Sequence, residues 1–164
     1  MTAFGKYPEL RYLGEGGEVS AWVRRATDAA DLVLGNTNVR YLATGASTDD
    51  LFGLYRWEMA GNRAGAEPHI HRSFSESFYV LSGTVKVYDG AHWVDAQPGD
   101  YVYVPPGGIH GFTNESGAPA SMLILFAPGA PREQYFERLP DLATMSDDER
   151  TEFFRQHDNL YLED

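Results

Sequence analysis

Three histidines and one glutamate, His69, His71, Glu76 and His110, stand at spacings that bring them together only if short strands fold back on one another. Successive residues of a strand point to opposite faces, so His69 and His71 project to the same side. Glu76 has the wrong parity to continue that strand, which requires a turn or bulge before it. His110 follows a Pro-Pro-Gly-Gly segment, which predicts a turn into a new strand. The pattern therefore predicts that three imidazoles and one carboxylate converge.

Three nitrogen donors and one oxygen donor suit a divalent transition-metal ion, and we expect one ion per chain. The donor types are compatible with nickel, iron, manganese, cobalt, copper or zinc and do not choose among them. Four protein ligands leave coordination positions for water or substrate, which is typical of reactive metal sites rather than purely structural ones. Any single histidine could instead be an ordinary buried residue, but that reading explains the whole set poorly.

Short β-prone runs separated by Gly, Pro, Asn and Asp predict an all-β sandwich or barrel. The predicted strands are Val19–Arg24, Asn38–Ala43, Leu51–Met59, Pro68–Arg72, Glu76–Leu81, Thr84–Tyr88, His92–Asp95, Asp100–Val104, Ile109–Asn114 and Ala120–Phe126. Helix is expected only near the end, over Pro131–Leu139 and, after a capping box of Ser146 and Glu149, to about His157. We expect a single domain over residues 1–164, with a β core at about 33–127 and a helical extension at about 130–160.

Strand parity also predicts an apolar chamber around the metal ligands, because five large side chains fall on the faces that carry the ligands. The candidate substrate-binding residues are Tyr55, Trp57, Met59, Phe78 and Phe112. Each of them could simply fill the core, but together they indicate a pocket for an apolar, aromatic compound.

Charge and composition exclude several classes of partner. The chain has 24 acidic residues against 13 lysines and arginines, a net charge of −11 with neutral histidines, so nucleic acid is not expected to bind. Few cations lie near the histidines, which disfavours a phosphorylated or multiply anionic substrate. The absence of cysteine excludes a thiolate metal site. Residues Met1 to Ser20 lack the apolar core of a signal peptide and no run reaches membrane-spanning length, so we expect a cytoplasmic protein that does not enter the membrane.

The histidines belong to two blocks that resemble the paired signature motifs of the cupin superfamily. The first block has gaps of one, four and six residues between His69, His71, Glu76 and Gly83. The second has gaps of five, one, two and three residues between Gly99, Pro105, Gly107, His110 and Asn114. This resemblance implies a double-stranded β-helix, or jelly-roll barrel, with one or two short C-terminal helices.

Two further segments, Glu67 to His71 and Ala127 to Gly129, are similar to those of small bacterial single-domain cupins of the quercetin 2,3-dioxygenase type. This narrower resemblance implies an enzyme that cleaves a flavonol or a similar flat phenolic or enolisable substrate with dioxygen. It further implies that the three histidines hold the ion and that Glu76 is a ligand, the catalytic base, or both in turn.

Other functions stay open at this point. A cupin of this kind could be a metal-dependent isomerase or epimerase on a small sugar or keto acid, although the aromatic walls and the scarcity of cations speak against it. It could also be a non-catalytic small-molecule-binding protein, although the complete ligand set would then need another explanation. Related cupins pair by sharing strands, so the predicted strand Val19–Arg24 additionally implies a homodimer.

Overall fold

Two antiparallel sheets face each other in the computed structural model, which describes residues 7–62 and 64–162. The strands are β1 (Leu32–Leu34), β2 (Thr37–Ala43), β3 (Gly53–Met59), β4 (Ala64–Ile70), β5 (Ser75–Ser82), β6 (Val85–Tyr88), β7 (Trp93–Ala96), β8 (Tyr101–Val104), β9 (His110–Asn114), β10 (Ala120–Ala127) and β11 (Leu160–Tyr161). One sheet has the order β1-β2-β3-β10-β5-β8, and the other has the order β11-β4-β9-β6-β7. The predicted all-β jelly roll is confirmed.

The hydrophobic core lies between the two sheets and is rich in aromatic side chains. Strand β3 alternates cleanly, with Tyr55, Trp57 and Met59 buried while the intervening residues are only partly covered. Facing them, Phe78 and Phe112 pack with ring centroids 5.6 Å apart. This alternation is what a half-buried strand requires, and it explains why parity identified these residues as inward.

Two helices close one end of the sandwich, α1 (Arg132–Arg138) and α2 (Asp147–Gln156), as predicted. The predicted capping box is present at α2, where the Ser146 side chain accepts from the Glu149 amide and Glu149 accepts from the Ser146 amide. From α1, Phe136 packs edge-on against Trp57 at 5.3 Å between ring centroids. Neither helix in the described part of the chain has the length and apolarity needed to cross a membrane.

The predicted strand Val19–Arg24 is wrong, because the structure has no strand there. Val19 and Val23 are exposed and pair with no neighbouring strand, so their β propensity is not sufficient to form a ladder. The segment is instead tied down through Arg24, which donates to the Asp31 carboxylate and to the Tyr41 carbonyl. The homodimer inferred from this strand stays a prediction.

Strand β4 lies earlier than the predicted Pro68–Arg72 and ends at Ile70, one residue before His71. Its pairing with β9 shifts register between Ala66 and His69, which marks a bulge. Gly65 has a φ of +157°, and a Cβ there would lie 1.9 Å from the Phe112 carbonyl oxygen. Only glycine allows β9 to approach β4 this closely.

Candidate metal centre

The four predicted ligands converge at one end of the sandwich and come from both sheets. His69 in β4 pairs directly with His110 in β9, His71 follows the end of β4, and Glu76 projects from β5 in the opposite sheet. Their ligand atoms all lie within 4.8 Å of one another. All four side chains are buried, none more than 4% exposed. The structure thus brings the predicted set together as one cluster.

Backbone carbonyls orient all three imidazole rings. The Nδ1 atoms of His69, His71 and His110 lie at hydrogen-bonding distance from the carbonyl oxygens of Glu67, Asp158 and Gly108, respectively. A carbonyl oxygen can only accept, so each Nδ1 carries a proton, and a ring that is neutral presents an unprotonated Nε2. This backbone support is the arrangement that commonly fixes histidine ligands of metals.

The Nε2 atoms meet the carboxylate of Glu76. Glu76 Oε2 lies 2.9 Å from Nε2 of His71 and 2.8 Å from Nε2 of His110. With neutral rings these are contacts between acceptors, which are repulsive unless a proton or a cation lies among them. Three nitrogen lone pairs and a carboxylate directed at one point therefore fit a divalent transition-metal ion, and these four residues would hold it.

Burial and the mutual charges of the cluster shift its titration. Burial, reinforced by the positive charge of His110, lowers the pKa of His69 to about 3, which keeps that ring neutral. Burial alone would raise the pKa of Glu76, but protonation of His110 and His71 at Nε2 supplies hydrogen bonds that hold this pKa below its ordinary value. Burial likewise opposes the charged form of His110, yet Glu76 outweighs it and the pKa of His110 is raised. Glu76 is thus an ionised, buried carboxylate that needs positive charge nearby.

A cavity of about 250 Å³ opens onto the cluster at His69 and Glu76. Trp57 and Phe112 form part of its wall, as expected for substrate-contacting residues. Its lining further includes Ile124, Phe126, Arg132, Tyr135, Phe136, Leu139, Leu142, Asn159 and Tyr161. The cavity is smaller than the roughly 300–1,000 Å³ of common ligand pockets, which favours a small substrate.

The other three candidate substrate-binding residues lie deeper in the core. Tyr55, Met59 and Phe78 are almost completely buried and are not among the residues that line this cavity. Phe78 lies beside the His110 ring, at 6.1 Å between ring centroids, so it supports the ligand from within the barrel. Parity identifies the face of a strand that points inward but not the height along the barrel at which a cavity opens.

The C-terminal segment supplies the part of the site that sequence patterns did not reveal. Asp158 holds the His71 ring through its carbonyl, and its carboxylate accepts from the amides of Arg72 and Ser73. Arg132 and Asn159 line the cavity from the same side. None of them belongs to a spaced motif, so no sequence signal distinguished them from the rest of the helical extension.

A jelly roll with a three-histidine, one-glutamate cluster at one end of the barrel defines a cupin with a candidate metal centre. Consistent with this, the sequence model of the cupin domain family matches residues 55–126, which include all four cluster residues and strands of both sheets but not β1, β2 or β11. The fold, the cluster and this match together support a cupin superfamily member.

Similar proteins include several kinds of cupin. Quercetin 2,3-dioxygenase from Bacillus subtilis (strain 168) is 27% identical over 137 residues, which cover 83% of this chain and 39% of that protein. The polyketide cyclase RemF from Streptomyces resistomycificus superposes with a TM-score of 0.57 at 26% identity, over 68% of this chain and 81% of RemF. KdgF from Halomonas sp. shares the fold alone, with a TM-score of 0.60 at 17% identity over 69% of this chain and 97% of KdgF. The chain thus spans about two fifths of its curated relative.

Proposed function

We propose that the protein is a metal-dependent dioxygenase that cleaves a small, flat, phenolic or enolisable compound, in the manner of quercetin 2,3-dioxygenase. The observation that carries this proposal is the ionised carboxylate of Glu76 among three Nε2 lone pairs, at the end of a cavity walled by Trp57 and Phe112. Similarity to the Bacillus quercetin 2,3-dioxygenase supports the same reading.

Glu76 is the proposed base and also a proposed ligand. Its side-chain partners are the imidazoles of His71 and His110 rather than a lysine or arginine. The carboxylate can therefore give up one of these contacts and accept a proton from a substrate hydroxyl instead. Since Glu76 is buried, such a proton transfer is shielded from bulk water. A bound divalent ion would supply Lewis acidity and, where it is redox-active, electron exchange with dioxygen.

The walls of the cavity would orient the ring. Trp57 and Phe112 meet edge to face, with centroids 5.7 Å apart, and Phe136 packs on the other side of Trp57. These contacts hold the indole in one orientation, so an aromatic substrate meets a preformed apolar surface rather than one that must be ordered on binding.

Metal-assisted cyclisation is a second candidate, favoured by the 26% identity to the polyketide cyclase RemF. Ring closure by carbon–carbon bond formation also begins with removal of a proton, in this case from an enolisable carbon rather than a hydroxyl, a step that Glu76 could perform. It consumes no dioxygen, and this difference separates the two candidates.

The test is oxygen uptake by metal-loaded protein with quercetin, smaller phenols and β-diketones. We expect uptake with at least one of them, and we expect Glu76→Gln to reduce turnover by about 100-fold or more because the amide keeps the shape but is not a base. Metal content is measured on the same samples, since Glu76 is also a proposed ligand. Glu152→Gln, on the exposed face of α2, is the matched control and should leave turnover unchanged.

The outcomes separate the two candidates. No uptake with any compound by fully metal-loaded protein would contradict the dioxygenase proposal. Anaerobic conversion of a polyketide-like substrate would then favour the cyclase.

A further inference from the structure

A buried cation, Arg132, stands in the wall of the cavity that opens onto the metal centre. The first residue of α1, it is 4% exposed. Its guanidinium carbon lies 4.2 Å from the centroid of the Tyr135 ring and 5.2 Å from that of Phe126. It donates to the His157 carbonyl at 2.8 Å and to the Asn159 side-chain oxygen at 3.2 Å. These partners hold the side chain in place but carry no negative charge.

Across residues 7–62 and 64–162, no carboxylate oxygen lies within 4.0 Å of the Arg132 guanidinium. Its Nε is buried with no hydrogen-bond acceptor, and the amide nitrogen of Asn159 is likewise buried and unpaired. A buried guanidinium normally has an anionic partner, and buried donors normally have acceptors. Two adjacent side chains thus both lack an acceptor, and an anionic oxygen in the cavity would balance the charge of the guanidinium.

The location of these donors connects them to substrate. Arg132 and Asn159 line the same cavity as His69 and Glu76. The one other carboxylate among the lining residues of this cavity, Glu67, is exposed, so its charge is screened by solvent. Burial lowers the pKa of Arg132, but a guanidinium stays protonated in proteins. The cavity wall therefore carries a fixed positive charge in a region of low dielectric constant.

We propose that Arg132 and Asn159 form an anion subsite beside the metal centre, and that the substrate carries a carboxylate or an equivalent ionised oxygen in addition to its phenolic or enolic oxygen. The inference rests on the proposed function in taking the rest of the ligand to be phenolic or enolisable. A single anionic group also agrees with the sequence-based expectation that phosphorylated or multiply anionic substrates are disfavoured. One guanidinium in a cavity of about 250 Å³ matches a single small anion.

The experiment compares ligands of equal shape and different charge. Binding of 3- and 4-hydroxybenzoate and of the corresponding hydroxybenzamides is measured by calorimetry on zinc-loaded protein without oxygen, so that no turnover is needed. We expect the wild-type protein to bind at least one acid about tenfold more tightly than its amide, or better, because the charged hydrogen bonds exist only for the acid. Arg132→Met, which keeps apolar bulk among the rings, should abolish this preference.

Two further variants make the result specific. Asn159→Asp places a carboxylate next to Arg132, which satisfies the guanidinium internally, so this variant should stay folded and also lose the preference. Arg138→Met removes a half-exposed cation from the same helix and should retain it. If Arg132→Met does not fold, Asn159→Asp decides the question.

Equal binding of acids and amides by the wild-type protein, absence of binding by the acids, or a preference that survives Asn159→Asp would overturn the anion subsite. Its failure is distinguishable from failure of the proposed function. A charge preference that depends on Arg132, in a protein that consumes no oxygen, would retain the subsite and reject the dioxygenase. Oxygen uptake without a charge preference would retain the dioxygenase and reject the anion subsite.

Discussion

The pocket is built from two regions that contribute opposite kinds of polar group. Strands β4, β5 and β9 and the residue after β4 contribute acceptors, namely three Nε2 lone pairs and the carboxylate of Glu76. The segment from α1 to β11 contributes the unpaired donors of Arg132 and Asn159. Acceptors in a dry site bind a cation and donors bind an anion. Under the proposed function, the chemistry and the choice of substrate would thus reside in separate parts of the chain.

The two regions are nevertheless joined at one loop. The Asp158 carbonyl accepts from Nδ1 of His71, and its carboxylate accepts from both the amide and the hydroxyl of Ser73. Next to this loop, β11 pairs with β4 at Ile70 and His69. The C-terminal segment therefore positions two of the predicted ligands, besides contributing the proposed anion subsite, and variants can reveal how independent the two regions are.

The largest effect is expected from separating the C-terminal segment from the barrel. Phe136→Ala removes a ring that packs against Trp57, Tyr55 and Phe126, and it should lower the free energy of unfolding by about 3–5 kcal/mol. Urea denaturation measures this change. The control is Phe154→Ala on α2, which is only partly buried and should be affected less. Equal losses for the two variants would show that Phe136 is not the principal contact between the C-terminal segment and the barrel.

The next effect concerns the acceptor region alone. His110→Ala should weaken metal binding by more than about 100-fold, since loss of a ligand exceeds the 10–100-fold cost typical of changes behind a ligand. Metal content and affinity are measured by mass spectrometry and competition with a chelator. His92→Ala, an exposed histidine outside the cluster, is the control. Full metal occupancy in His110→Ala would show that the centre has been misplaced.

The smallest effect tests the junction. Asn tolerates the φ of +49° at this position as Asp does, so Asp158→Asn should leave the backbone unchanged. The substitution should weaken the hydrogen bonds that the side chain accepts from the Arg72 and Ser73 amides. We expect a loss of about 1 kcal/mol in the free energy of unfolding, because Asp158 is only partly buried and an amide oxygen can still accept some of these hydrogen bonds. Asp95→Asn on β7, which removes a surface ion pair with Lys86, should change it less.

The same variant has a defined pH dependence. Hydrogen bonds from Ser73 and the Arg72 amide lower the pKa of Asp158 below its ordinary value of 3.8 despite partial burial. Its contribution is therefore fully present above that value and disappears as the pH falls through the lowered pKa of the folded state. Unfolding curves of wild-type protein and Asp158→Asn should differ at pH 6 and converge in acid. A constant difference across this range would mean that the carboxylate charge is not what stabilises the loop.

The sequence predicted the acceptor region well and the donor region hardly at all. The ligands are predictable because a cluster drawn from short strands requires fixed spacings, and every predicted strand from Asn38 onwards overlaps an observed one. Arg132 could not be recognised, because its partners are a carbonyl and an amide 25 and 27 residues away and rings from α1, β10 and the loop before β5. Such contacts leave no periodic pattern, and the error at Val19–Arg24 has a similar origin, since propensity does not supply a partner strand.

The contact between His71 and Asp158 has a consequence for the order of events during synthesis on the ribosome. The acceptor that sets the His71 tautomer is made 87 residues after the histidine itself. A nascent chain that has emerged only as far as α1 already carries His69, His71, Glu76 and His110 but lacks the carbonyl that aims His71 at the others. The backbone support of His71 is therefore complete only after Asp158 has been made, and a chain stalled before Asp158 would carry all four cluster residues with one imidazole lacking its acceptor.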